Sequence, residues 1–299
     1  MRTRTWIALS LASSLRVASA FVVPSPRVTL TKRDMCGLIA VLGDEPGNLP
    51  DITENTDRIR HRGPDGMQLL DSHDTFRMGH TRLAIVDPTH AGDQPFSLSF
   101  DVKGSKKKYH LVANGEIYNH EQVYAEIVKD GWKEERVSHS DCESIAHAFA
   151  ARGVDCVSML DGMFAFCVLE QDEETGAITS ALAARDPVGI KPLYYGRNLD
   201  DSSYVFASEL KALVGLVDPA TVVAMPAGHY WTPETGLQCY YNPDWLRKVR
   251  IAQCWSFRLV VVNPYPCGSP STLHGLTPTM FHRLTTSFAL HSPRLSRSA

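Results

Sequence analysis

Apolar positions along the chain fall into short runs rather than long amphipathic stretches. Gly37-Leu38-Ile39-Ala40-Val41-Leu42 is apolar without alternation, the pattern of a strand covered on both faces. Tyr109 to Ala113, Met163 to Leu169 and Ile178 to Ala184 read as further strands, the last two joined by a polar turn into an antiparallel hairpin. Pro192 to Gly196, Tyr204 to Ala207 and Gly228 to Trp231 add short ones. Asn114-Gly115 at a strand end predicts a turn, and Lys103 to Lys108 a basic hairpin-like insertion. Helical spacing is confined to three places. Pro50 to Arg60 predicts a helix stopped by Gly63-Pro64. Val123 and Ile127 share a face of a helix running to Lys129, with Asn119 and Gln122 as its capping box. Cys142, Ile145, Ala146 and Phe149 recur at i, i+3, i+4 and i+7, and a second capping box, Ser140-Asp141-Cys142-Glu143, predicts a helix from Asp141. Strands with helices interspersed, and no regular β-α-β alternation, predict an α+β fold of antiparallel sheets covered by helices.

Length and charge change this picture at the two ends. A chain of 299 residues holds one large domain or two modest ones. The net charge of −3 divides into +5 over residues 1–35 (6 basic, 1 acidic), −15 over 36–245 (17 basic, 32 acidic) and +7 over 246–299 (7 basic, none acidic). An acidic middle excludes nucleic acid as its expected partner, since phosphate binding needs clustered Lys and Arg. Residues 1–35 read as a targeting leader or pro-segment: Arg2, Arg4, Arg16, Arg27, Lys32 and Arg33, an apolar stretch from Trp6 to Ala12, and Ala18-Ser19-Ala20 before Phe21. The apolar stretch is far shorter than the ~20 residues of a membrane span. Ala-Ser-Ala-Phe resembles the bipartite leaders of algae with secondary plastids, which implies a plastid or another organelle; initiation at Met35 would instead leave the chain cytosolic. Residues 246–299 lack periodicity and scatter Pro, Ser, Thr and Arg, so they read either as an irregular basic tail or as non-coding sequence translated past a boundary near Trp245. Seven cysteines without a C-x-x-C pair or a histidine at ligand spacing predict neither a zinc site nor a disulfide framework.

Candidate chemistry begins at Met35-Cys36. If Cys36 becomes the first residue, its thiol stands beside its own α-amine, whose pKa of about 7.7–8.0 suits it to take the thiol proton. The alternative is a small apolar residue in a buried strand. The cations of Arg60-His61-Arg62 read as a functional loop or as a solvated turn. Asp141 in a helix's first turn is favoured by the macrodipole whatever its function.

Taken together and in order, these stretches carry a resemblance. Met-Cys-Gly-Leu-Ile-Ala-Val-Leu-Gly from Met35, Arg-His-Arg-Gly-Pro-Asp-Gly from Arg60, His-Thr-Arg-Leu-Ala-Ile-Val-Asp from His80, Asn-Gly-Glu-Ile-Tyr-Asn-His from Asn114 and Ser-Asp-Cys-Glu from Ser140 come first. Leu-Asp-Gly-Met-Phe-Ala-Phe from Leu160, Ala-Arg-Asp-Pro-Val-Gly-Ile from Ala184, Ala-Ser-Glu-Leu-Lys-Ala-Leu from Ala207 and Tyr-Asn-Pro-Asp-Trp from Tyr241 follow. Residues 36–245 thereby resemble the glutaminase domain of the glutamine-hydrolysing asparagine synthetase family. Glucosamine-phosphate synthase and the purine amidotransferase share the Cys-Gly start and differ at the later stretches.

The resemblance implies an N-terminal-nucleophile (Ntn) hydrolase fold, a four-layer αββα sandwich, and a substrate, L-glutamine. It implies Cys36 as nucleophile with its freed amine as base, and Asn114 and the Gly115 N–H as the oxyanion hole. Arg82 would take the substrate's α-carboxylate and Asp141 its α-ammonium. Glu116 with the backbone of Leu83, Ile85 and Val86 would line the pocket, and Arg62 would steady Cys36. The glutaminase reaction implies no cofactor or metal. The family's second domain uses ATP and Mg²⁺ through a Ser-Gly-Gly-x-Asp-Ser loop, a string this sequence lacks. A homodimer or a separate synthetase domain is the partner this implies. Two other readings stand beside it: a catalytically silent glutamine-binding or interaction module, because residues 1–35 hold the Cys36 amine in a peptide bond, and a truncated gene-model product.

Overall fold

In a computed structural model of the chain, the described residues are 35–43, 47, 49–71, 74–201 and 203–243. The expected leader of residues 1–35, apart from Met35, and the expected tail of residues 246–299 lie outside them, as do Asp244 and Trp245.

The apolar run after Cys36 forms β1 (Gly37–Leu42), buried along its whole length. Leu38, Ala40 and Leu42 face a core shared with Phe76, Met78, Val112, Ala165 and Cys167, whereas Ile39 and Val41 face another with Leu49, Ile52 and Ile59. Two covered faces leave no position for a polar residue, which is why the run has no alternation.

The remaining elements in chain order are α1 (Thr53–Asp57), β2 (Gly66–Leu70), β3 (Phe76–Arg82), β4 (Phe96–Val102), β5 (Ser105–Ile117), α2 (His120–Lys129), α3 (Glu143–Arg152), β6 (Gly162–Asp172), β7 (Ile178–Arg185), β8 (Tyr194–Arg197), β9 (Tyr204–Ala207), β10 (Val223–Ala224), β11 (His229–Thr232) and β12 (Gly236–Cys239). They build two six-stranded sheets, ordered β10-β8-β9-β1-β3-β2 and β12-β11-β7-β6-β5-β4. Neighbouring strands run antiparallel. The inner faces meet over Leu38, Ala40, Phe76, Ala165, Cys167 and Trp231. Ile52 and Ile59, on either side of α1, pack on the outer face of the first sheet. The outer face of the second meets Val123 of α2 and Ile145, Ala146 and Phe149 of α3. This is the expected α+β sandwich, with the predicted helix faces and the β6–β7 hairpin in place.

Local chemistry departs from the sequence reading at several points. Asn114-Gly115 is no turn, because β5 runs through both residues and pairs Asn114 with Ala165 and Gly115 with Phe164. A glycine is required here by proximity: a Cβ at Gly115 would stand 2.1 Å from the Met163 carbonyl oxygen. The hairpin turn lies instead at Lys103-Gly104, both at positive φ (55° and 84°), as two-residue hairpin loops demand. The helix expected over 50–60 shortens to α1 and is followed by a 3₁₀ turn at Arg60–Arg62. Neither capping box forms. Asn119 donates to the Met159 carbonyl and accepts from the Asp161 N–H, both at 2.8 Å, instead of capping α2. α3 begins at Glu143, preceded by tight i→i−3 bonds from Ser140 onward. Four described cysteines, Cys36, Cys142, Cys156 and Cys167, take part in no disulfide, while Cys239 is disulfide-bonded, a link its spacing does not announce. Among the described residues no helix is long and apolar enough to cross a membrane.

Gly115→Ala is expected to destabilise the fold by about 1–3 kcal/mol through overpacking between β5 and β6. Urea unfolding read by intrinsic fluorescence measures it, and an unchanged midpoint would mean that the two strands can part at no cost.

Candidate active site

The two sheets are pinned together where the candidate residues lie. His80 stands opposite Leu38, one residue from the Gly37–Thr81 pair that starts β1. Its Nε2–H donates to the Ala113 carbonyl of β5 at 3.1 Å, since a carbonyl can only accept. That bond joins the Cys36 end of the first sheet to the Asn114-Gly115-Glu116 end of the second. Strand alternation puts Asn114 on the face of Val112, between the sheets, where it is buried. Gly115 aims its N–H to the same side of the strand as Ala113 and Ile117, whose N–H groups are taken by Gln94 Oε1 and Asp141 Oδ2, both at 2.6 Å. β4 does not reach that point, its last pair along β5 being Phe96 with Leu111, so the Gly115 N–H faces an edge that no described strand covers.

Cys36 is half-buried, and its sulfur lies against one peptide group. The Leu83 N–H points at Sγ from 3.3 Å, and Sγ lies 3.6 Å from the Leu83 carbonyl oxygen. Burial pushes the thiol's pKa up, while the Leu83 contact and the charges of Lys191 and Arg82 act against it. Arg62, nearly buried, donates from Nε to the Cys36 carbonyl (3.0 Å) and from its guanidinium to Glu209 (2.9 Å). Arg62 thus reaches the backbone of Cys36, not its thiol. Glu209 also meets His61 (3.0 Å) and Lys211 (3.2 Å), while Arg60 turns to Asp57 (3.5 Å).

Arg82 is engaged in a different way from its expected role. Its guanidinium pairs with Asp93 and donates to the carbonyls of Thr89 (2.8 Å) and Asp87, which fixes the loop after β3. Leu83 belongs to that loop, in which Ile85 and Val86 are exposed at 65 % and 47 %. Asp87 extends the tie by accepting the His139 N–H at 2.9 Å, bringing the approach to Asp141 alongside. Asp141 is buried, with one oxygen on the Ile117 N–H. Cys142, next to it, lies 3.8 Å from the Gly115 carbonyl and senses the Cys36 charge. Glu116 and Cys36 in turn both act on Lys191. The predicted residues thus gather round one edge, with Ile85 and Val86 at its rim.

Other residues of the site were not singled out from the sequence. Glu143 and His147 are wholly buried and form a strap: Trp132 Nε1–H donates to His147 Nδ1 (2.9 Å), so His147 Nε2–H faces Glu143 (3.2 Å). Burial pushes the Glu143 carboxyl up, but hydrogen bonds from His147, Ser138 and the backbone of Val137 and Ser138 hold it below its usual range. Lys191 and Glu209 stood inside or beside quoted motifs, yet no spacing signals a contact across 150 residues. Among the described residues no group of three His, Cys, Asp or Glu is placed to hold a metal ion.

Comparison with known proteins bears on this geometry. Residues 35–233 match the family model described as a glutamine amidotransferase domain. The chain belongs to that family. It is 42 % identical over 215 residues to asparagine synthetase [glutamine-hydrolyzing] 2 of Oryza sativa subsp. japonica, covering 71 % of this chain and 33 % of the relative. Against asparagine synthetase [glutamine-hydrolyzing] 3 of Arabidopsis thaliana the identity is 41 % over 219 residues, covering 72 % and 34 %. The chain spans about a third of the length of these curated relatives. Among solved structures, glutamine phosphoribosylpyrophosphate amidotransferase from B. subtilis, complexed with ADP and GMP, superposes with a TM-score of 0.51 at 23 % identity, over 68 % of this chain and 48 % of that one. A structure of the allosteric regulatory enzyme of purine biosynthesis gives 0.50 at 24 %, with the same coverage. These likenesses show the fold, that of the Ntn-hydrolase amidotransferases. Family membership makes the chain an enzyme domain of the amidotransferase class.

His80 makes the site sensitive to acid. With Nε2 donating and Nδ1 buried without a partner among the described residues, burial pulls its pKa from 6.5 down to about 4. Between those values the unfolded chain binds the proton and the folded one does not, so stability falls as pH drops from 6.5 and levels off below about 4. The expected loss is on the order of 3 kcal/mol, from 2.5 pH units at 1.36 each. Urea unfolding of wild type and His80→Gln at steps from pH 7 to 4 should show this component in the wild type alone.

Proposed function

We propose that this chain hydrolyses L-glutamine to L-glutamate and ammonia with Cys36 as the nucleophile. The observation that carries the reading is the His80–Ala113 bond, which ties the end of the first sheet that bears Cys36 to the end of β5 that bears Asn114 and Gly115. A thiol near amide donors is the arrangement acyl transfer requires.

Once Cys36 is the first residue, its amine takes the thiol proton and Sγ bonds to the substrate's side-chain carbonyl carbon. Charge on the carbonyl oxygen is received by the Asn114 amide and the Gly115 N–H. Collapse breaks the C–N bond, and the ammonium of Cys36 returns its proton to the leaving nitrogen, which departs as ammonia. Water then attacks the thioester with the amine as base, and the S–C bond breaks to give glutamate and restore the thiol. Asp141 supplies the charge for the substrate's α-ammonium and Arg82, oriented by Asp93, that for its α-carboxylate. Glu116 and the Leu83–Val86 backbone line the pocket.

The names of the plant relatives, glutamine-hydrolysing asparagine synthetases, support asparagine formation as the destination of the ammonia; that it is made from aspartate, in a synthetase portion using ATP and Mg²⁺, is what the family resemblance implies. Residues 1–35 are assigned to delivery or processing, and their removal is what would arm the amine.

The direct test is ammonia release from glutamine by the form that starts at Cys36, beside the full chain and Cys36→Ala. Release by the first form only is the expected outcome; glutamine binding without release in all three would favour the silent binding module. In the active form, Asn114→Ala is expected to lower kcat by about 10²–10³, with a loss below about tenfold removing it from the oxyanion hole. Asp141→Asn should raise KM for glutamine while the melting temperature stays near wild type, and an unchanged KM would take Asp141 out of the pocket.

A further inference from the structure

Lys191 is a buried cation that the mechanism above does not use. It is 5 % exposed and follows a loop whose backbone N–H groups, those of Val188, Gly189, Ile190 and Lys191 itself, all point at the Asp186 carboxylate at 2.6–3.1 Å. Its Nζ lies 3.1 Å from the Met35 thioether, a weak acceptor, and no described carboxylate comes within ion-pair distance of it. Burying an ammonium in this state is costly and needs a reason.

The neighbouring cations make the contrast. Arg62 is paired with Glu209 and Arg82 with Asp93, so much of their field is cancelled locally. Lys191 keeps its charge, and the groups around it are Cys36, Glu116 of β5, Asp186 of its own loop and Arg62. It also touches the residue whose removal would create the Cys36 amine. The charges of Lys191 and Cys36 act on each other, and Met35 is the residue joined to the Cys36 nitrogen.

We propose that Lys191 is a positioning residue at Cys36, its charge easing the loss of a proton from the Cys36 thiol and from the α-ammonium. A nearby cation favours the thiolate over the thiol and the free amine over the ammonium, so without it each group gives up its proton only at higher pH. This inference rests on the glutaminase reading, and it deepens that reading by naming the source of the local field. Burial lowers the pKa of Lys191 itself, and Glu116, Cys36 and Asp186 oppose this.

The test reads Cys36 rather than turnover. Alkylation of Cys36 by iodoacetamide, followed by peptide mass spectrometry from pH 6 to 10, is compared in the full chain for wild type, Lys191→Met and Lys191→Arg. Lys191→Met should move the inflection to higher pH by about one unit and slow alkylation at neutral pH about tenfold, with Lys191→Arg close to wild type. In the form beginning at Cys36, the acid limb of kcat/KM for glutamine should move the same way. Superposable pH profiles of Lys191→Met and wild type would overturn the proposal, even if the variant's overall rate fell. Lys191→Gln replaces Lys191→Met if thermal melts show the latter unfolded. A shifted alkylation profile in a protein that never releases ammonia would support the Lys191 role and overturn the glutaminase reading.

Discussion

At the candidate site a hydrogen bond crosses between the sheets, from His80 to the Ala113 carbonyl. Either sheet alone presents half of a site: the first carries Cys36 at the head of β1, the second carries Asn114 and Gly115 near the end of β5. The apolar packing between the sheets is non-directional and would tolerate some sliding. The bond is directional, lies in a low-dielectric interior, and would leave a buried carbonyl unsatisfied if broken. Cys36 and the Asn114-Gly115 stretch are therefore held in register by a polar contact within an apolar interface.

Around that contact, loops are held by acids turned inward. Asp87, Asp141, Glu143 and Asp186 are all buried, and each accepts backbone N–H groups: Thr89 and His139, Ile117, Val137 and Ser138, and the four residues after Pro187. Part of the acidity of residues 36–245 is thus structural and does not reach the surface as a field. Carboxylates suit this work because one group can accept from several amides and so fix a loop that has no ladder of its own.

Much of the fold was legible in the sequence wherever burial on two faces or helical spacing left a pattern. The unbroken run of β1, the β6–β7 hairpin and the faces of α2 and α3 are of this kind. Asn114-Gly115 misled because its local turn preference is overridden by pairing with β6, and the glycine serves close approach instead. Of the site, Cys36, Asn114, Gly115 and Asp141 stood in motifs that a known family shares. Arg62 was named with its partner unseen, His80 and Glu209 were read as motif letters without roles, and Lys191 stood one residue past a motif. Their partners lie on other strands, and neither period nor spacing encodes which buried histidine faces which carbonyl.

The Leu83 peptide offers the Cys36 sulfur both its N–H and its carbonyl. A thiol can give its hydrogen to the carbonyl, and a thiolate can accept from the N–H, without displacement of either residue. The loop consequently has almost nothing to rearrange when the sulfur changes charge. Its solvation is exchanged within one rigid amide, so the reorganisation energy that water would demand at that step is kept small.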